Sequence, residues 1–281
     1  MLERTICADD GMRLWAADHD ERTGSERLPV LFIHGFGGSS SATGHMAAHV
    51  NATGRRFVAP DLRGHGLSEK PSSEGAYTLA RFVADVSAVA RELRMERFHL
   101  AGHCMGGMVA AAYAIEHPET VASLSLIGTS LRPGAERPFF ARVSAVVQAP
   151  VMPMARRAFP AGSDAPPHVD YSRFRNMGDI YWRRMVADWR ALTADTGEVI
   201  TRTIRSIDLI EAATAIAAPT LVVHGAHDRI FPPAAARRTH GAIVGSVLSI
   251  LPNDNHVTLV LDPASALFDE FASFADRAEA G

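Results

Sequence analysis

The chain has 281 residues, 47% hydrophobic and 21% charged, which suits a globular protein with one large buried core. A formal charge of -3, with no phosphate loop, zinc-type Cys/His pairing or basic-aromatic tract, leaves neither nucleic acid nor a membrane surface as an expected partner. Two cysteines are too few for a disulfide framework, and "MLERTICADDG" lacks an apolar signal core, so a cytoplasmic location is expected.

In chain order, "RTICADDGMRLWAADHD" predicts two strands joined by an Asp-Asp-Gly turn, with Cys7 a small buried residue of the first. The apolar run Leu28 to Gly35, "LPVLFIHG", predicts a strand buried on both faces. A weak helical stretch from about Ala42 to Asn51 leads to the strand "RRFVAPDL". Leu79, Phe82, Val83, Val86, Val89, Ala90 and Leu93 then recur at helical spacing, predicting an amphipathic helix. "RFHLAGH" follows as a strand, "MGGMVAAAYAIEH" as a helix closed by Pro118, and "VASLSLIGT" as a strand. Such alternation implies an α/β fold, a mostly parallel sheet with helices on both faces.

The rhythm breaks after Thr129. Prolines cluster in "APVMPMARRAFPAGSDAPPH", and aromatic, arginine-rich helical segments surround "DIYWRRMVADWRAL". Alternation resumes with the strand "PTLVVHGAHD", a helix near Pro232 to Val244, the strand "SVLSIL" and a C-terminal helix from Pro263. The expected organisation is a core in two parts, 1–130 and 214–281, interrupted by a helical insertion, 131–213. Residues 131 to 210 hold 12 arginines and 8 acidic residues. Those arginines could draw an anionic substrate or coat solvent-facing helices, and both readings stay open.

One stretch carries chemistry. In "GHCMGG", Gly102 and Gly106 flank Cys104 between a strand and a helix, the pattern of a tight elbow that exposes a nucleophile. The small flanking residues answer a steric demand, and Gly107 adds slack. With "HGFGGSS" from His34, "DLRGHGLSEKP" from Asp61, and "HGAHDRIFP" from His224 leading to "NDNH", the chain resembles the α/β-hydrolases that carry a lid after the sixth strand. The resemblance implies an eight-stranded, mostly parallel sheet and chemistry without cofactor or metal. It departs from the usual pattern at Cys104, where most members have serine.

Acyl cleavage needs a nucleophile, a base and a carboxylate to orient the base. Cys104, His256 and Asp228 are expected in these roles, in the chain order this fold requires, with Asp254 the second choice of acid. The backbone N–H groups of Phe36 and Met105 are expected to form the oxyanion hole. His34, Phe36, His103 and Trp182 are candidates for the substrate pocket. His34 and His103 are read as braces beside the site, His227 as a loop residue, and "DLRGHGLS" as a structural loop.

A cysteine beside a histidine at a helix N-terminus is expected to form a thiolate-imidazolium pair, suited to esters, lactones and thioesters rather than peptides. Four readings stay open: a natural cysteine hydrolase or acyltransferase working through a thioester acyl-enzyme; a serine carboxylesterase with an engineered Ser-to-Cys replacement; a lyase; or a hydrolase-like ligand-binding protein. The expected partner is a small acyl substrate, anionic or carrier-bound.

Overall fold

The structure is a computed structural model that describes residues 1–20, 25–136, 192 and 194–280. Eight strands form one sheet: β1 (Leu2–Cys7), β2 (Arg13–His19), β3 (Val30–Ile33), β4 (Phe57–Pro60), β5 (Phe98–His103), β6 (Val121–Ile127), β7 (Thr220–Gly225) and β8 (Val247–Leu251). Their spatial order is β1-β2-β4-β3-β5-β6-β7-β8. β2 runs antiparallel to β1 and β4, and every pairing from β4 to β8 is parallel.

Among the described residues the α-helices are α1 (Gly44–Ala52), α2 (Leu79–Glu92), α3 (Met105–Glu116), α4 (Ala194–Ser206), α5 (Pro233–Ala242), α6 (Thr258–Leu261) and α7 (Leu267–Ala280). Alternation along the central strands sorts the core into two layers. Leu31, Ile33, Leu100 and Leu124 pack with α2, α3 and α5, whereas Val30, Phe32, Ala101 and Ile127 pack with α1 and α7. The expected sheet with helices on both faces is therefore what the chain forms. From Met105 through Ala114 α3 is buried and, Tyr113 apart, built of Ala, Gly, Met and Val, so small residues let it lie tightly between its neighbours.

The topology puts the switch point at β3, because the chain crosses from β3 to β4 on one side and then to β5 on the other. Carboxyl ends of strands at such a point form a natural crevice. At the opposite end of the sheet, the fully buried Arg55 pairs with Asp276 at 2.7 Å and Glu279 at 3.1 Å. Glu279 also meets Nε2 of His99 at 2.9 Å, and Nδ1 of His99 meets Ser123 Oγ at 2.8 Å. The end of α7 is thereby fastened to the starts of the central strands.

Three local expectations change. Cys7 is exposed, not buried, because strand alternation turns Ile6 inward and its neighbour outward. The weak helix starts two residues later, at Gly44, after a 3-10 turn over Ser40–Thr43. The C-terminal helix starts four residues later than Pro263, at Leu267, and a separate short helix, α6, precedes it. Of the expected insertion, residues 137–191 and 193 lie outside the described residues, Trp182 among them.

Candidate active site

Cys104 stands between β5 and α3 with φ 55° and ψ -119°, a left-handed conformation that a side chain rarely adopts. Hydrogen bonds hold it there: its N–H donates to Ile127 O at 3.0 Å, and Thr129 Oγ1 donates to its carbonyl at 2.6 Å. The flanking glycines are obligatory at this curvature. A Cβ on Gly106 would lie 2.2 Å from the Ile33 carbonyl oxygen, and one on Gly102 would lie 2.2 Å from the Gly106 oxygen. Gly107 does not supply slack as expected. The side chain of Thr129 fills the space where its Cβ would be, at 2.7 Å.

Two other strand ends complete the arrangement. Asp228 follows β7 and is buried; its Oδ1 accepts the backbone N–H groups of Ile230 at 2.8 Å and Phe231 at 2.9 Å. That leaves Oδ2 for His256, whose Nδ1 lies 2.8 Å away on the loop after β8. Cys104 lies beside His256, close enough to act on the ionisation of its ring. Burial opposes a charge on this imidazole, but the charge on the Cys104 sulfur and the bond to Asp228 outweigh it, pushing the pKa up to about 10. The protonated ring is thus the favoured form at neutral pH.

Asp254, the second choice for the acid, serves the loop instead. Its carbonyl accepts from His227 N at 2.9 Å, and its Oδ2 accepts from Ser265 Oγ at 3.3 Å. His227 itself is exposed.

The loop after β3 passes against the elbow so closely that a Cβ on Gly35 would lie 2.9 Å from Cys104 Cβ. Phe36 and Gly37 form the corner of a tight turn in which Gly38 N donates to Gly35 O at 3.0 Å, with Gly37 at φ +67°. His34 is buried beneath it. Leu62 N–H donates to its Nε2 at 3.0 Å, so its proton sits on Nδ1, which donates to Gly35 O at 2.8 Å. With the Gly35 carbonyl held twice, the Gly35–Phe36 peptide plane is fixed and the Phe36 N–H turns the opposite way. Met105 N–H is the first of the α3 helix, where no intrahelical acceptor exists.

His103 is likewise a brace. Its Nε2 donates to the His256 carbonyl at 2.9 Å, and the two rings lie 4.7 Å apart. Three further participants carried no sequence signal of their own. Thr129 holds the elbow's carbonyl, the Phe231 ring stands edge-on to His256 at 5.8 Å, and the buried His65 stands edge-on to Phe36 at 6.2 Å. Among the described residues, no group of three or more His, Cys, Asp or Glu is placed to hold a metal ion.

Residues 29–263 match the family model described as alpha/beta hydrolase fold. An uncharacterized protein of Mycobacterium tuberculosis is 28% identical over 278 residues, covering 89% of this chain and 76% of that protein. The 2-hydroxymuconate semialdehyde hydrolase of Pseudomonas putida is 39% identical over 113 residues, 40% of this chain and 38% of its own. Among solved structures, the enol-lactonase from Burkholderia xenovorans LB400 has a TM-score of 0.73 at 23% identity, over 99% of this chain and 100% of that one.

Proposed function

The chain belongs to the alpha/beta hydrolase fold family, and from that premise we propose that it cleaves or transfers the acyl group of a small ester, lactone or thioester. Cys104 is the nucleophile, His256 the proton carrier and Asp228 the carboxylate that orients it. The observation that carries this reading is the Asp228–His256 hydrogen bond, with the His256 ring beside Cys104 at the carboxyl ends of the strands.

In the first half-reaction the Cys104 sulfur attacks the acyl carbonyl carbon, whose oxygen takes the electron pair and is met by the N–H groups of Phe36 and Met105. The intermediate collapses to a thioester, and the leaving oxygen or sulfur takes its proton from His256. In the second, water or another acceptor gives its proton to His256 as it attacks the thioester, and the Cys104 thiolate departs. Thiolate leaves more readily than an unprotonated amine, so an amide intermediate would revert, and this favours esters and thioesters. Cofactor chemistry has no part in the scheme.

Turnover of a short p-nitrophenyl ester and of an acyl thioester tests it, together with intact-protein mass spectrometry after rapid quenching. The expected result is an acyl adduct on the native chain and loss of both adduct and turnover in Cys104→Ala. Unchanged turnover in Cys104→Ala would remove Cys104 from the reaction. A Cys104→Ser variant faster by orders of magnitude would show a site built for oxygen rather than sulfur.

A further inference from the structure

His224 lies on β7, four residues before Asp228, and the scheme above does not use it. Its ring is completely buried. Nε2 is 2.7 Å from the Phe231 carbonyl oxygen and 3.3 Å from Oδ2 of Asp228. A carbonyl oxygen only accepts, so Nε2 carries the proton and Nδ1 is bare. Nδ1 has no hydrogen-bond partner among the described residues.

We propose that His224 is a positioning residue for the acid: its Nε2–H is shared between the Phe231 carbonyl and Oδ2 of Asp228, and so aims the carboxylate at His256. This inference rests on the reading of Cys104, His256 and Asp228 given above. Three observations support it. Oδ1 is already held by two backbone N–H groups, so the remaining freedom of the carboxylate is in Oδ2, the oxygen His224 reaches. The same Nε2–H fixes the backbone of Phe231, whose ring is the edge-on neighbour of His256. One imidazole therefore sets both the partner and a wall of the base.

The third observation concerns charge. Burial pushes the pKa of His224 down, against the Phe231 bond and the Asp228 charge, so the ring stays neutral. It supplies a donor without supplying a cation that would compete with the His256 imidazolium for Asp228. An apolar residue would avoid the cost of an unpaired Nδ1 in the core, and that cost argues that the Nε2–H is there for what it touches.

The test compares His224→Leu, which removes the donor, with His224→Gln, whose amide reaches the place of Nε2, and with His224→Asn, which is polar but too short. The kcat of the Leu and Asn variants is expected to fall about 10- to 100-fold with KM changed less than about twofold, and the Gln variant to recover most of the loss. In proton NMR, the downfield Nδ1–H resonance of His256 should be present in the native and Gln proteins and displaced or lost in Leu and Asn. If the Leu variant does not fold, Asn against Gln decides alone. Native kcat and an unmoved resonance in a folded Leu or Asn variant would overturn the inference, as would equal loss in Gln and Asn. Cys104→Ala is measured alongside: unaltered turnover there refutes the nucleophile, whereas its loss combined with no effect at position 224 refutes only His224.

Discussion

Cys104 illustrates how a residue can be held where its own backbone would not go. A left-handed non-glycine residue costs about 1–3 kcal/mol, and here bonds from the Cys104 N–H and to its carbonyl hold it in place. The tolerance of the elbow is correspondingly small. Gly106→Ala is expected to destabilise the chain by more than about 3 kcal/mol in urea denaturation and to abolish turnover, since its Cβ would overlap the Ile33 carbonyl. The neighbouring charge makes a second prediction. Below pH 6.5 the raised pKa of His256 contributes its full stabilisation, which is lost as pH rises through about 10. NMR titration should place the His256 midpoint near pH 10 in the native chain and lower it in Cys104→Ala, because the charge that most favours the protonated ring is gone.

Among the elements, the loop "DLRGHGLS" underlies the turn after β3 through Leu62 and His34, and its own anchor is an ion pair. Arg63 is fully buried and grips Asp85 of α2 with both Nε and Nη2, while Nη1 reaches Asp10 at 3.0 Å. Arg63→Met leaves Asp85 buried and uncompensated, and the expected cost in urea denaturation is about 3–5 kcal/mol; Arg63→Met with Asp85→Leu should recover much of it. The same pair marks how far the sequence was legible. The spacing of Phe82, Val83, Val86 and Val89 announces α2 and its buried face, and Asp85 sits on that face. Periodicity counts apolar residues, so it cannot say that a carboxylate among them has found an arginine far along the chain. The elbow was legible because its glycines, strand and helix are contiguous. The contact of Thr129 was not, since only the packed sheet creates it, and that of His224 with Asp228 depends on how the loop after β7 folds back on its strand. Cys7 failed for a simpler reason: residue type was weighed there and strand parity was not.

At the scale of the whole molecule, buried neutral histidines set the acid limit. Burial pushes the pKa of His65 down to about 3, and burial also lowers His99 and His224. The unfolded chain binds these protons from about pH 6.5 downward and the folded chain does not, so stability falls as pH falls below 6.5. The guanidinium midpoint is expected to be lower at pH 5 than at pH 7.5. The far end of the sheet makes its own prediction. Removal of residues 276–281 leaves Arg55 buried without Asp276 or Glu279, and thermal unfolding should show a loss of about 3–5 kcal/mol. That fastening has a consequence for biogenesis. Arg55 and Glu279 are separated by 224 positions, which a ribosome takes about 11 to 45 s to traverse. Throughout that interval Arg55 lacks the α7 carboxylates that pair with it, so the sheet cannot close into its final state until α7 has emerged. The core is therefore expected to complete its fold only once α7 has emerged, as a whole rather than piece by piece.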